Sequence, residues 1–365
     1  MIVYICCFAI SVLFTYLASK NTDRRILFCL YSTIALLFPA LIAGCRDTTV
    51  GTDTEFYGLP SYNMVVQMGE FGIIMGVTEW EPIYTILIYL GELIHGTFNA
   101  GLFLIAFWCV FFAYVAIYLM RDKLSMTFAM FVYLIMFYNP SLNIMRQCMA
   151  MSVCMVCWVL FYKQKYLLSF FTFFIAFFCH YSSILFFLPI LLYWIYNNER
   201  FVTNRTLYIM CLLTPFFMLM YSVLLSIAIK IGILSTHFEA YVDSDETSFS
   251  KTNVLTYLVF LYIVYICGRR SSVIYKDYYY LLMIAYISFV LMFSSIFNQW
   301  AYRAGFFFSL LFPLHIPMMF RELEQDRGRL KLFYILFLSI FWFWDVVING
   351  SNSTYPYTSE ILGIE

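Results

Sequence analysis

The sequence predicts an all-α polytopic membrane protein, and three observations carry that reading. Of 365 residues, 63% are hydrophobic and only 12% charged, against about 25% charged in an ordinary soluble domain. So small a polar complement cannot cover a water-exposed surface of this size. Apolar runs that approach the roughly 20 residues of a bilayer-spanning helix recur from end to end. The Lys and Arg residues also concentrate in alternate loops, the pattern that fixes orientation in membranes. Formal net charge is zero, so composition gives no sign of a nucleic-acid partner.

Apolar spans run over approximately 2–19, 26–44, 101–120, 124–139, 144–162, 166–179, 182–196, 206–232, 253–267, 278–297, 303–320 and 332–349. The first, "MIVYICCFAISVLFTYLASK", lacks a basic leader and a small-residue cleavage site, and reads as a retained helix. The runs 166–179 and 182–196 are short and need polar ends that reach the interface. Six segments, "KNTDRR", "RDK", "KQK", "NNERFVTNR", "GRRSSVIYKD" and "RELEQDRGRLK", hold 16 of the 21 Lys and Arg. These mark the cytoplasmic side. The breaks between them face outward.

A shorter apolar piece at 82–94 disturbs this alternation. If it crossed completely, the outer loop 45–81 and "KNTDRR" could not both keep their sides. It therefore reads as re-entrant or interfacial. The expectation is one integral membrane domain over 1–365, with about twelve spans, both termini outside and a second outer loop at 233–252. Thirteen spans with one terminus inside is the alternative. Cys154 and Cys157 form a CxxC, but within "MSVCMVCWVL" the spacing simply puts two small apolar groups on one helix face.

The five remaining basic residues, Arg46, Arg146, Lys230, Lys251 and Arg303, fall at or beyond outer helix ends. Near them in the sequence map lie Asp47, Asp53, Glu55, Glu79, Glu81, His180 and the acids of "HFEAYVDSDETSF" (237–249). Arg146 and Arg303 each sit early in an outward-starting helix, where a cation opposes the positive helix terminus by roughly 0.3–1 kcal/mol. A docked anion offsets that cost, because guanidinium groups at helix N-termini suit phosphate. The competing readings are contact with lipid head groups or pairing with an internal acid. His180 is either a polar cap in a tight turn or a base that orients a substrate hydroxyl. Asp53 is a rival base, or a solvated turn residue paired with Arg46. The acids at 237–249 read as solvated rather than metal-binding, and no metal or other cofactor is expected. Asp345 is ionisable near an outer helix end, with no assigned role. Outer cations, carboxylates and aromatic-rich loops together suit an amphipathic anionic substrate such as a lipid-linked glycan. No Walker A loop is present, so cytoplasmic nucleotide hydrolysis has no support.

Several short motifs in order resemble the EpsG family of bacterial exopolysaccharide proteins, related to the Wzy-type O-antigen and capsule polymerases. In "CRDTTVGTDTEFY", Arg46, Gly51, Thr52, Asp53 and Tyr57 match the first motif. Glu81 and Tyr84 match a Glu-x-x-Tyr, with Pro82 as a departure. Arg146, Gln147, His180 and Ser182 match the last, although Cys179 replaces the usual Phe before the histidine. The resemblance spans roughly residues 1 to 320.

The resemblance implies a GT-C-like fold in a bacterial inner membrane with the active site facing the periplasm. It implies inverting, metal-independent transfer of a growing glycan from undecaprenyl pyrophosphate to a lipid-linked repeat unit. The implied partners are these glycan lipids, the surrounding membrane lipids and a chain-length regulator. Arg146 and Arg303, with Arg46, are then expected to bind pyrophosphate, and His180 or Asp53 to deprotonate or orient the acceptor hydroxyl. Tyr57, Glu81, Gln147, Asn298 and Tyr302 are expected to contact the sugars. An O-antigen ligase, a lipid-linked oligosaccharide flippase or transporter, and an O-acetyltransferase are the competing classes. The last should place its His and Arg on the cytoplasmic side, because its acyl donor lies there.

Overall fold

The structure is a computed structural model that describes residues 1–71, 80–198, 230, 251–270, 277–294, 300–323 and 327–365. Helices account for nearly all regular structure among these residues, with one isolated β-bridge between Ser359 and Ile364. The expected spans fall on helices wherever they are described. The expected span at 206–232 lies outside the described residues. Among the described residues, five helices are long and apolar enough to cross a bilayer, or six if Ala301–Ser309 and Phe312–Glu322 form one span. Shorter apolar helices lie beside them. The protein is thus a multi-helical membrane protein.

The described chain divides into two compact units. The first comprises Met1–Ile184, Phe312–Arg321 and Gly328–Glu365. Its helices are α1 (Ile2–Lys20), α2 (Arg25–Cys45), α3 (Leu59–Met68), α4 (Pro82–His95), α5 (Phe98–Leu119) and α6 (Met126–Tyr133). There follow the short α7 (Asn139–Asn143), α8 (Met145–Tyr162) and α9 (Tyr166–Cys179). The second unit holds α10 (Phe187–Tyr196), α11 (Lys251–Arg270), α12 (Tyr278–Ser294) and α13 (Trp300–Ser309). Then α14 (Phe312–Glu322) and α15 (Arg327–Trp342) return to the first unit.

Within the first unit, α2 packs on α1 and α5, α5 on α8, and α8 on α9. Helix α8 is buried over most of its length. Its small and polarisable side chains, four of them Met and three Cys, let neighbours approach from all sides. Inter-helix hydrogen bonds answer the bilayer's demand that backbone polar groups be satisfied internally. Pro39 has no N–H to give the carbonyl of Ala35, and Ser11 of α1 donates to that carbonyl at 2.7 Å. Tyr138 donates to Pro39 O at 2.8 Å. Ser32 and Tyr114 join α2 to α5 at 2.7 Å. Helices α4 and α5 meet where Gly91 faces Gly101 so closely that a Cβ on Gly91 would lie 2.4 Å from the Gly101 nitrogen. In the second unit, α12 packs against α10, α11 and α13. Tyr257 of α11 bonds to Ser309 of α13 at 3.1 Å, and Tyr280 donates to Pro189 O at 3.0 Å.

The basic loops of the first unit gather at one end. Lys163 reaches Leu119 O and stands 3.9 Å from Asp122, Lys123 donates to the Tyr162 hydroxyl at 3.2 Å, and Arg321 donates to Asp122 O at 2.5 Å. The other end of α2, α8 and α9 carries Arg46, Arg146 and His180. The segment expected as the outer loop 45–81 is partly helical where described. It forms a π-helical turn, Thr54–Gly58, running into α3. Helix α4 has 14 residues, about 21 Å at 1.5 Å per residue, short of the ~30 Å hydrocarbon core.

Candidate functional site

Four chain segments bring ionisable side chains together at this end of the first unit. Glu81 is the residue before α4, with extended backbone (φ −63°, ψ 139°), and its carbonyl accepts from Thr85 N at 3.1 Å. Pro82 follows at the first helical position, where its missing N–H costs nothing. His180 follows the last residue of α9 and precedes a 3₁₀ turn, Tyr181–Phe186. Arg146 is the second residue of α8. The break at Ile144 (φ −77°, ψ 57°) separates α7 from α8 and gives Arg146 a new helix start. Asp53 opens the π-helical turn that carries Tyr57.

Glu81 is the centre of the cluster, and only 3% of it is exposed. Its Oε2 accepts from Arg146 Nη1 at 2.9 Å, and its Oε1 is hydrogen-bonded to His180 Nδ1. Burial alone would push the Glu81 carboxyl up, but the hydrogen bond from His180 and the charges of His180 and Arg146 override it. They hold the group down at about 2. An ionised carboxylate only accepts, so His180 Nδ1 carries the proton in this bond. The Arg146 guanidinium lies over the Tyr57 ring at 4.4 Å and the Tyr84 ring at 5.8 Å, a cation–π arrangement. Tyr84 bonds to Ser61 at 2.9 Å. Burial raises the Tyr57 phenol well above its ordinary range, with Arg146 opposing, so Tyr57 is a neutral donor. Its hydroxyl points to Asn143 O at 3.5 Å.

The structure therefore joins Glu81, Arg146, His180 and Tyr57, all expected from the sequence, in one network. Glu81, expected from the sequence as a sugar contact, bonds both other ionisable groups, one on each carboxylate oxygen. Asp53 lies beside them: its backbone N–H donates to Asn143 Oδ1 at 2.9 Å, and Thr52 Oγ1 donates to the same oxygen at 3.1 Å. Gln147 is buried in α8.

Arg46 departs from expectation. It is 2% exposed, and Nη2 donates to Leu142 O at 2.9 Å and to Thr54 Oγ1 at 3.3 Å. Nη1 reaches Ala43 O at 3.4 Å. Its guanidinium braces the π-helical turn against α7 and has no surface left for a substrate. Arg303 and Tyr302 belong to α13 in the second unit, where Arg303 Nε faces the Tyr302 hydroxyl at 3.5 Å. Asn298, Glu79 and the acids at 237–249 lie outside the described residues. Asp345 accepts from Ser351 at 2.6 Å. Among the described residues, no three His, Cys, Asp or Glu side chains gather as for a metal ion.

Asn143 fastens the Asp53 turn, and Tyr84 walls the Arg146 guanidinium. The sequence marks Tyr84 only as the tyrosine of the Glu-x-x-Tyr motif, without a site role. Asn143 carries no signal beyond its four-residue spacing from Asn139.

Apolar helices that bury an ionic cluster at their ends define a multi-helical membrane protein. The EpsG family pattern matches residues 29–359, nearly the whole chain, and the protein belongs to that family, which is Wzy-type polymerase-like. No curated protein and no solved structure matches it.

Proposed function

We propose that this protein is a polysaccharide polymerase. In this reading it transfers a growing glycan from undecaprenyl pyrophosphate to a lipid-linked repeat unit, with inversion and without a metal. It does so at the periplasmic face of a bacterial inner membrane, on about twelve spans of GT-C-like arrangement. Family membership supports the class of activity. The observation that carries the mechanism is the Glu81 carboxylate, which engages His180 on one oxygen and Arg146 on the other.

With Nδ1 bound to Glu81, the other ring nitrogen of His180, Nε2, is the proton acceptor. It takes the proton of the acceptor hydroxyl as that oxygen bonds to the donor's anomeric carbon from the face opposite the leaving group. The bond from this carbon to the pyrophosphate breaks, and the electron pair leaves with the lipid pyrophosphate. Glu81 stabilises the imidazolium that forms, the part a carboxylate plays behind a histidine base. Arg146, held by Glu81 and the rings of Tyr57 and Tyr84, neutralises the developing phosphate charge. Asp53 lies beside this pair as an acceptor-orienting carboxylate, and Tyr57 and Gln147 contribute to the sugar site. A chain-length regulator is a proposed partner.

The test is purified protein with a synthetic undecaprenyl-pyrophosphate repeat unit in EDTA, with products resolved on a gel. A ladder of lengthened glycans is expected, lost in His180→Ala and Arg146→Ala variants that remain folded. Absence of a ladder from folded wild type, or wild-type ladders from both variants, overturns the assignment.

A further inference from the structure

The last residues of the chain fold back onto the segment that leads into the candidate site. Beyond α15, a further π-helical turn (Phe343–Ile348) and a short 3₁₀ turn (Ser351–Ser353) redirect it. From there several of its polar groups are used on residues 42–51. Ser353 O accepts from Gly51 N at 2.7 Å, and Thr358 O accepts from Asp47 N at 3.1 Å. Tyr357 donates to Ile42 O at 2.9 Å and Ser359 to Cys45 O at 2.5 Å. Glu360 N donates to Asp47 Oδ1 at 2.8 Å. These bonds join residues more than 300 positions apart, so the chain gains them only when fully assembled.

Helix α7 connects this strap to the site. Its first residue, Asn139, is fully buried and reads the C-terminal segment: Nδ2 donates to Thr354 Oγ1 at 2.8 Å, and Oδ1 accepts from Trp342 Nε1 at 2.8 Å. Its last residue, Asn143, reads the Asp53 turn through Thr52 and Asp53. Thr354 is pinned from the other side by Tyr4, whose hydroxyl donates to its carbonyl at 2.6 Å. Gly51 sits at the seam. Its N–H is on the strap, and a Cβ would lie 2.6 Å from Leu142 O.

We infer that residues 353–360 are a positioning strap, which through Asn139 and Gly51 fixes the Asp53–Tyr57 turn against Arg146. Thr354 is fully buried and so has no surface to offer a substrate. It acts through the turn, so its part in catalysis rests on the proposed polymerase reading, whereas its mechanical part does not.

The experiment compares wild type with Thr354→Val, Thr354→Ser and Tyr4→Phe in nanodiscs, by amide hydrogen exchange and by the glycan-ladder assay. Val keeps the shape and removes the acceptor for Asn139, and Ser restores it. Exchange at residues 51–57 should quicken about fivefold to tenfold in Thr354→Val and Tyr4→Phe, the factor one net hydrogen bond supplies. Exchange in α5 and α8 should hold, and Thr354→Ser should match wild type. The ladder rate should fall by a similar factor at saturating substrate, with KM little changed. Unchanged exchange at 51–57, or a rise spread equally over α5 and α8, overturns the strap. Faster exchange with full polymer synthesis overturns its role in positioning. If wild type makes no ladder, the polymerase reading fails, and exchange alone still decides whether the strap exists.

Discussion

Replacing Glu81 by Gln keeps the side chain's shape and removes its charge, which isolates what the carboxylate does. Gln can still accept from His180 Nδ1, so the ring's orientation survives. What is lost is the anion facing the imidazolium that forms when His180 takes a proton. Two unit charges about 4 Å apart interact by about 4 kcal/mol at the effective dielectric of roughly 20 that suits partly buried sites. At about 1.4 kcal/mol per decade this is a rate loss of about 10³. The corresponding Asp-to-Asn change in Ser-His-Asp triads, about 10⁴, brackets it from above. Arg146 loses its partner but keeps its charge, so KM for the pyrophosphate donor should hold or fall while kcat collapses. The assay is the initial rate of ladder formation at several donor concentrations, for Glu81→Gln, His180→Ala and the double variant. Because Glu81 acts through His180, the double variant should be no slower than His180→Ala alone. Near-wild-type kcat in Glu81→Gln would refute the dyad, as would two losses that simply multiply.

Acid should loosen the same cluster. The Glu81 carboxyl sits at about 2 in the folded protein against 4.5 for the free group, so its stabilisation is fully present above pH 4.5 and disappears as pH falls towards about 2. The difference amounts to about 3 kcal/mol. Thermal unfolding in detergent between about pH 6 and pH 3 should show a fall in Tm for wild type that is shallower in Glu81→Gln. Parallel curves would contradict it. Gly51→Ala places a Cβ 2.6 Å from Leu142 O at φ +90°, and should lose polymer with Tm reduced, a cost of about 1–3 kcal/mol for the strained backbone. An unshifted Tm would show that the turn tolerates the methyl group. Arg46→Lys loses the forked contacts to Leu142 O and Thr54 while keeping the charge. Stability should fall by about 2–4 kcal/mol, whereas a normal Tm with a raised donor KM would restore the substrate role expected from sequence.

Much of the fold was legible because solvent dictates it. Helices such as α1, α2, α5 and α8 follow from uninterrupted apolar runs between polar breaks, and Lys163, Arg321 and Lys123 gather at one end as alternate basic loops require. The partners within the site were less legible, since sequence spacing says nothing about contacts 65 or 99 residues apart, as from Glu81 to Arg146 and His180. Arg46 shows the limit clearly. A lone arginine at a helix end looks the same whether it waits for a phosphate or is folded under the backbone of a neighbouring turn, and only its carbonyl partners distinguish the two. The C-terminal segment was illegible for a similar reason. Its serines and threonines resemble any solvated tail until Gly51, Asp47 and Asn139 are seen to use them.

Under the proposed function, Arg146 and Glu81 together bear on a problem that any polymerase working on a lipid pyrophosphate must meet. Substrate and product carry the same anionic group, so an arginine that bound it strongly and alone would hold the spent carrier as well as the loaded one, and uniform binding of that kind adds nothing to kcat. Glu81 competes for the same guanidinium at 2.9 Å. An incoming pyrophosphate has to displace or share that contact, which weakens ground-state binding, and the carboxylate is in place to reclaim Arg146 as the carrier leaves. The charge that grows on the bridging oxygen during bond cleavage is the one moment when the arginine's pull exceeds what Glu81 can offer. The same carboxylate is most needed by His180 at that moment, because the imidazolium forms as the glycosidic bond breaks. In the proposed mechanism, releasing Arg146 to the phosphate and strengthening the hold on His180 are thus one shift of a single anion between two cations, and the buried position of Glu81 keeps solvent from screening either half of it.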